Sequence, residues 1–558
     1  MLRSSPNGLL RSLTRPTSRS TAGLLIRRPV SNATTSQTKS SKEQHQNQRQ
    51  EQRKNPAFLA SALSAAATTI GGTLLYTIVS HKTDKDDESQ YASRAEMELA
   101  VEEIRKALGE DAVSIEDEIL HSHGYSDWST INIDRLPVAV AFPTTTDEVA
   151  TIAKICHKRR VPMTQVPYSG GSSVEGHFSA PFGGVSVDFV NMNQILEVHS
   201  DDLNVVVQPS VPWMELNEKI KDTGLFFPID PGPSAQIGGM VGTNCSGTNA
   251  VKYGTMRDWV VNLTVVLSDG TILKTRRRPR KSSAGYSLNS LFVGSEGTLG
   301  FVTEATLKLA PIPEHTGIAV VTFTSVKAAA TMAIEVIRRG VPISAVEILD
   351  EVLMSVINRM GATSMKWNEV PTLFFKFSGS DALVKDSIAQ VQSISKKHHA
   401  NGFQYESDPH KQKALWSARK EALWSMMALR ETDGHVWSTD VAVPLSRVSE
   451  LIDISKKELV ELGLFGSILG HIGDGNFHET ILFEDKQRKE VEDCVHKMVS
   501  RAIEMEGTCT GEHGVGLGKK EFLREEVGDV PIQVMRAIKT SLDPLWLMNP
   551  GKIFDRKD

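Results

Sequence analysis

Cysteine is scarce: Cys156, Cys245, Cys494 and Cys509 are the only four in 558 residues, and they lie far apart. No CxxC pair occurs, so neither a thiolate zinc site nor a disulfide framework is indicated. A large charge excess is also missing. The net charge of −5 gives no reason to expect a nucleic-acid partner. There is no GxxxxGKS run and no GxGxxG between a strand and a helix, which removes the two commonest phosphate loops. No internal repeat is visible. The hydrophobic content of 40% and charged content of 23% are those of a globular protein. The chain is too long for one ordinary core, so two or three domains are expected.

Acidic residues are missing from residues 1–42, which carry Arg3, Arg11, Arg15, Arg19, Arg27, Arg28, Lys39 and Lys42 among many serines and threonines. This is the composition of a mitochondrial presequence. With the polar stretch that follows, residues 1–56 read as presequence and disordered linker. Charge is then missing from residues 57–80, AFLASALSAAATTIGGTLLYTIVS. A helix needs about 20 apolar residues to cross a bilayer, so this stretch is a candidate transmembrane anchor. Arg53 and Lys54 precede it, and Asp84, Asp86, Asp87 and Glu88 follow it. Basic residues favour the matrix side, which puts the catalytic body in the intermembrane space. A longer presequence that is cleaved away is the alternative.

Two folded domains are expected, 95–315 and 316–558. In the first, 95–108 reads as a helix and 138–142 as a buried strand. A helix capped by Thr146 and Asp147 is expected to run to 157. In the second, 317–324, 342–349 and 372–377 read as strands, and 326–339, 381–397, 411–430 and 485–506 as helices. That alternation suggests an antiparallel sheet covered by helices, an α+β fold. Ser438 to Pro444 reads as a strand with a polar start.

Three small-residue stretches punctuate the first domain. PYSGGSSVEG (167–176) can turn backbone amides toward an anion such as a pyrophosphate. PGPSAQIGGMVGTNCSGTNAVKYG (231–254) suggests backbone packed against a flat or extended ligand. GSEGTLGFVTE (294–304) precedes a strand through Leu309. The basic run Lys274, Arg276, Arg277, Arg278, Arg280, Lys281 reads as a solvated loop.

The second domain carries FGSILGHIGDGNFHETILF (465–483), read as strand, tight turn, strand. Such a turn can bring His471 and His478 to one point. Glu512 and His513 follow within TGEHG. Two histidines and a glutamate are a common set for a zinc-like divalent ion with an open position. His513 is then free to act as a base, although spacing alone allows the histidines to exchange roles.

PYSGGSSVEG, the 231–254 stretch and GSEGTLGFVTEATLKLAP resemble the FAD-binding domain of the vanillyl-alcohol oxidase family. GHIGDGNFH, GEHGVGLGK and the terminal NPGKIF resemble its D-2-hydroxyacid dehydrogenase branch. The resemblance covers about residues 95–556. It implies an FAD-binding domain of that type, with an antiparallel-sheet cap domain closing over the flavin. It puts Tyr168, Ser169, Gly170, Gly171, Ser172 and Ser173 on the FAD pyrophosphate. It lays Pro231, Gly232, Gly239, Gly242, Ser246 and Gly247 along the pyrophosphate and the isoalloxazine ring. It places Glu296, Gly300 and Val302 near the adenine half or the dimethylbenzene edge. Covalent relatives often carry a histidine where this chain has Ser172, so FAD is expected to be non-covalent.

The implied reaction is oxidation of a D-2-hydroxy acid, D-lactate to pyruvate, with electrons passed to cytochrome c; a quinone or oxygen is the alternative acceptor. Arg419 is assigned by the resemblance to the substrate carboxylate, which a planar guanidinium holds with two parallel hydrogen bonds. Zinc or manganese on His471, His478 and Glu512 would act on the substrate oxygen. His513 is the base, and Asn476 a substrate hydrogen-bonding partner. D-2-hydroxyglutarate or glycolate remains an alternative substrate, and a flavin-dependent ether-lipid transferase an alternative reaction on the same scaffold.

Overall fold

A computed structural model describes residues 90–126, 129–166, 173–430 and 434–557. The expected presequence, the candidate anchor 57–80 and the loop residues Tyr168 to Ser172 lie outside the described residues. Among the described residues no helix is long and apolar enough to cross a membrane.

The first half of the described chain builds two larger sheets and a two-stranded one, Leu225–Phe226 with Ala310–Pro311. One has four strands in the order Val113–Ser114, Ala139–Ala141, Val185–Asp188, Met163–Val166. Val113–Ser114 pairs antiparallel with Ala139–Ala141, and the other two pairings are parallel. Parallel strands need covered faces. Helices Arg94–Leu108 and Thr146–Arg159 share a core with this sheet through Ile104, Val149 and Ile152. Thr145, not Thr146 or Asp147, caps the second helix, accepting the Glu148 amide at 3.2 Å. The other sheet has five antiparallel strands, Ile195–His199, Asn204–Val207, Phe301–Lys308, Val260–Val266 and Ile272–Lys274 in that order.

The second half is organised on one antiparallel sheet. Its order is Gly402–Glu406, His315–Thr322, Thr372–Gly379, Ala345–Leu349, Phe465–Gly470, Asn476–Phe483, His435–Ser438; Val441–Ala442 pairs with the start of Asn476–Phe483. Residue alternation sends neighbours to opposite faces. Leu373, Phe375 and Phe377 join the core with helices Val326–Arg338, Asp381–Lys397, Leu445–Glu461 and Arg488–Glu504. Phe374 joins Leu353, Ile357, Leu415 and Ala422 of helices Glu351–Met360 and Pro409–Met427 on the opposite face. Burying each such aromatic contributes about 1.5–3 kcal/mol. The expected α+β cap, a sheet covered by helices, is what forms.

Two expectations change. The stretch 438–444 is not one strand: His435–Ser438 and Val441–Ala442 are separated at Thr439 and Asp440, and these two residues turn their polar atoms to the site instead. The segment 316–558 does not pack on itself alone. Its end returns to the first half, where Leu547 and Met548 enter the core around the parallel sheet. The Met163 amide donates to Leu547 O and the Asn549 amide to Met163 O, both at 2.7 Å. Hydrogen-bonding terms of this range are set by tertiary pairing, which local pattern does not report.

Candidate active site

Strand Phe465–Gly470 ends at His471, a 3₁₀ turn spans Ile472–Asp474, and Asn476–Phe483 returns antiparallel. Gly475 has φ 76°, and a Cβ there would lie 2.2 Å from Val443 O. Only glycine lets the turn close this tightly. His478 is the third residue of the returning strand, opposite Leu469.

The turn brings both imidazoles to one carboxylate. His471 Nε2 lies 3.2 Å and His478 Nε2 3.5 Å from the same Glu512 Oε1. One ligand atom from each of the three lies within 4.8 Å of the others. All three are buried or nearly so. The donor set, two imidazoles and a carboxylate, suits zinc or manganese. Each histidine has its second nitrogen held: His471 Nδ1 lies 2.9 Å from Glu347 Oε1, and His478 Nδ1 2.9 Å from Thr439 O. Such outer contacts fix ring orientation and tautomer. Burial works against a charged His471, but Glu347 and Glu512 outweigh it and hold its pKa well above the usual range. Burial likewise opposes the Glu512 carboxylate, and His471 and His478 bring its pKa well down.

Asp440 gathers the loop that carries Glu512 and His513. Its Oδ2 accepts the Glu512 amide at 2.9 Å, the His513 amide at 2.8 Å and Thr510 Oγ1 at 2.8 Å. Its Oδ1 accepts Asn476 Nδ2 at 2.9 Å. Gly511 is bare because a Cβ there would lie 2.2 Å from Asn476 Nδ2. The His513 ring stacks on His478 with centroids 5.1 Å apart and planes 13° apart. Its Nδ1 is 3.9 Å from Asp440 Oδ2 and has no hydrogen-bond partner among the described residues. Burial pushes the His513 imidazole down to about 4, leaving it neutral at pH 7. A second possible ligand group, Asp440, His478 and His513, overlaps the first at His478.

Arg419 comes from helix Pro409–Met427. Its Nε donates to Glu347 Oε2 at 2.7 Å. Among the described residues its two terminal nitrogens have no other protein partner. Asn476 spends its amide nitrogen on Asp440 and Val441 O, while its buried Oδ1 has no partner among the described residues.

The small-residue stretch 231–254 meets the cage directly. Ser246 Oγ donates to Glu512 Oε2 at 2.8 Å. Gly247 packs against the Asp230 backbone, 2.5 Å from a would-be Cβ. A Cβ at Gly232 or Gly242 would meet no atom within 4 Å, and Pro231 and Gly239 are partly exposed. This bare, open backbone fits a flat ligand laid along it, as FAD requires. Ser173 hydrogen-bonds to His177. Glu296, Gly300 and Val302 are engaged internally. Glu296 accepts the Val515 and Gly516 amides, each at 2.7 Å, and pairs with His177 at 3.0 Å. Gly300 packs on Val265, and Val302 is buried in its strand.

Three contributors are not evident from sequence. Glu347 sits between His471 and Arg419. Lys519 lies buried, 3.3 Å from Glu175 and 3.7 Å from Asp440. Lys376 lies 4.1 Å from the Trp416 ring centroid and donates to Thr248 at 3.2 Å. A lone charged residue on an apolar strand, as in SAVEIL or LFFKF, is the only signal that singles out Glu347 or Lys376.

Residues 312–553 match the family description "FAD linked oxidases, C-terminal domain", and residues 137–276 match "FAD binding domain". A mitochondrial D-lactate dehydrogenase [cytochrome] of Kluyveromyces lactis is 45% identical over 84% of this chain and 83% of its own. The Arabidopsis thaliana protein of that name is 43% identical over 88% and 85%. Among solved structures, 4-ethylphenol oxidase from Gulosibacter chungangensis superposes with a TM-score of 0.68 at 17% identity, covering 84% of this chain and 99% of that one. The chain belongs to the FAD-linked oxidases, flavin-dependent oxidoreductases built on the fold of the vanillyl-alcohol oxidase family.

Proposed function

We propose that the protein oxidises D-lactate, a D-2-hydroxy acid, to pyruvate and passes the electrons to cytochrome c. The observation that carries this reading is the cage itself: His471 and His478 converge on Glu512, which Ser246 ties to the flavin-side stretch. The names of the Kluyveromyces and Arabidopsis relatives supply the substrate and acceptor.

The terminal nitrogens of Arg419 hold the substrate carboxylate in a fork. His513, neutral near pH 7, takes the hydroxyl proton. Asp440 fixes the backbone on which that imidazole is carried. Asn476 Oδ1 offers a buried acceptor beside the same loop. Residues along 231–247 and the loop 168–173 would hold FAD non-covalently, and FAD when bound would supply a hydride acceptor. His471, His478 and Glu512 would hold zinc or manganese, which would supply Lewis acidity toward the hydroxyl oxygen.

Stopped-flow mixing of the oxidised flavoprotein with D-lactate, L-lactate and D-2-hydroxyglutarate tests the substrate. D-lactate is expected to bleach the flavin at least about tenfold faster than either alternative, a difference of about 1.4 kcal/mol in barrier. Absence of bleaching by D-lactate refutes the reading. Reduction of added cytochrome c tests the acceptor. The presequence 1–56 and anchor 57–80 belong to the same proposal, which places the body in the intermembrane space of mitochondria. Carbonate extraction that releases the protein would remove the anchor.

A further inference from the structure

We infer that Glu347 is a positioning residue that holds the metal ligand His471 and the substrate-binding Arg419 in one fixed relation. This inference rests on the proposed roles of those two residues and adds a physical link between them.

Glu347 lies on strand Ala345–Leu349, opposite Phe374, on the face covered by helix Pro409–Met427. It is 1% exposed. A carboxylate buried this deeply is costly unless both oxygens are satisfied. Both are. Oε1 lies 2.9 Å from His471 Nδ1, and Oε2 lies 2.7 Å from Arg419 Nε.

The geometry assigns each donor one lone-pair direction. A metal ligand at Nε2 needs a lone pair there, so with a metal bound the His471 proton would sit on Nδ1 and be donated to Glu347 Oε1. That fixes the tautomer a metal ligand needs and raises its basicity. Arg419 gives Nε to Glu347, which leaves its two terminal nitrogens as the fork for a carboxylate. One rigid side chain thus sets the distance and angle between the metal ligand and the carboxylate clamp. A 2-hydroxy acid presents its hydroxyl and carboxylate on adjacent carbons, so that spacing is what the substrate has to match.

Glutamine separates this role from simple packing. It keeps the shape but offers one acceptor oxygen and an NH₂ group. His471 Nδ1–H and Arg419 Nε–H are both donors, so Glu347→Gln satisfies only one of them. Two quantities therefore report the link. The Zn²⁺ dissociation constant of the FAD-loaded protein is read by competition with a chromophoric chelator. The KM for D-lactate is read at saturating Zn²⁺. For E347Q we expect Zn²⁺ affinity to fall about 10–100-fold, the range for losing an outer-shell partner, or KM to rise by a comparable factor, with flavin content unchanged. Glu347→Asp keeps the charge but cannot reach both donors, and serves equally if E347Q fails to fold. Wild-type values of both quantities in a folded variant overturn the inference. Failure of the wild-type protein to bind Zn²⁺ would instead refute the proposed metal site, and the KM measurement would still decide whether Glu347 sets Arg419.

Discussion

At the scale of single residues, the site assigns distinct duties to His513 and Arg419. His513 is neutral, partly exposed and stacked on a proposed metal ligand without sharing its contact to Glu512. His513→Ala is expected to retain flavin and lower kcat by about 10²–10⁴, the scale for removing a general base. Steady-state rates beside the visible flavin spectrum check this, and a variant turning over at the wild-type rate removes His513 from the mechanism. Arg419→Lys keeps the charge but replaces a fork by a point. Lysine cannot hold Glu347 and a carboxylate together in the observed geometry. KM for D-lactate is expected to rise about tenfold or more, about 1.4 kcal/mol; an unchanged KM counts against a carboxylate contact. His471, His478 and Glu512 are legible in the sequence because glycine-flanked histidines stand out within short stretches. Glu347 is not. Its partners lie 124 and 72 residues away, and its strand reads simply as core.

At the scale of elements, the break between His435–Ser438 and Val441–Ala442 is the instructive case. In sequence, Ser438 to Pro444 reads as one strand with a polar start. The structure interrupts it because Asp440 must face four donors rather than continue a ladder. Periodicity reports which face is apolar and gives no account of a carboxylate recruited by a loop about 70 residues later. The hairpin at 465–483 was legible for the opposite reason: its turn residues and both strands are adjacent in sequence. Asp440→Asn tests the gathering role. Both carboxylate oxygens meet donors only, so an amide NH₂ in either position confronts another N–H or O–H. The loop 510–513 should then shift, lowering kcat about 10–100-fold as expected for loss of a supporting partner. Flavin content should stay unchanged. A variant with wild-type kcat would show that Asp440 is dispensable for holding the loop.

At the scale of the whole molecule, the last residues fasten the two halves. The first half and the cap are visible as separate regions in sequence, but the return of 543–554 to the parallel sheet is not, because no local pattern encodes a contact with Met163. Lys552 is the most exacting part of this return. It is buried, with Nζ 2.6 Å from Ser179 O and 3.0 Å from Asn549 Oδ1. Burial, reinforced by Lys520 and opposed by Glu296, brings its pKa down to about 7 from 10.5. Between those values the folded amine is neutral while the unfolded one still holds its proton. The unfolded state then binds more protons, so stability from this group rises with pH across that window, by at most about 1.4 kcal/mol per pH unit. Below about pH 7 both forms are charged and the full penalty applies. A neutral amine still has two N–H groups for its two acceptors, so docking survives the proton's loss. Lys552→Met removes the titration while filling similar space. Urea midpoints at about pH 7.5 and about pH 9.5 should therefore diverge less in K552M than in the wild-type protein, whatever its baseline stability. An equal pH dependence in the two proteins would show that Lys552 is not the group that titrates across this window.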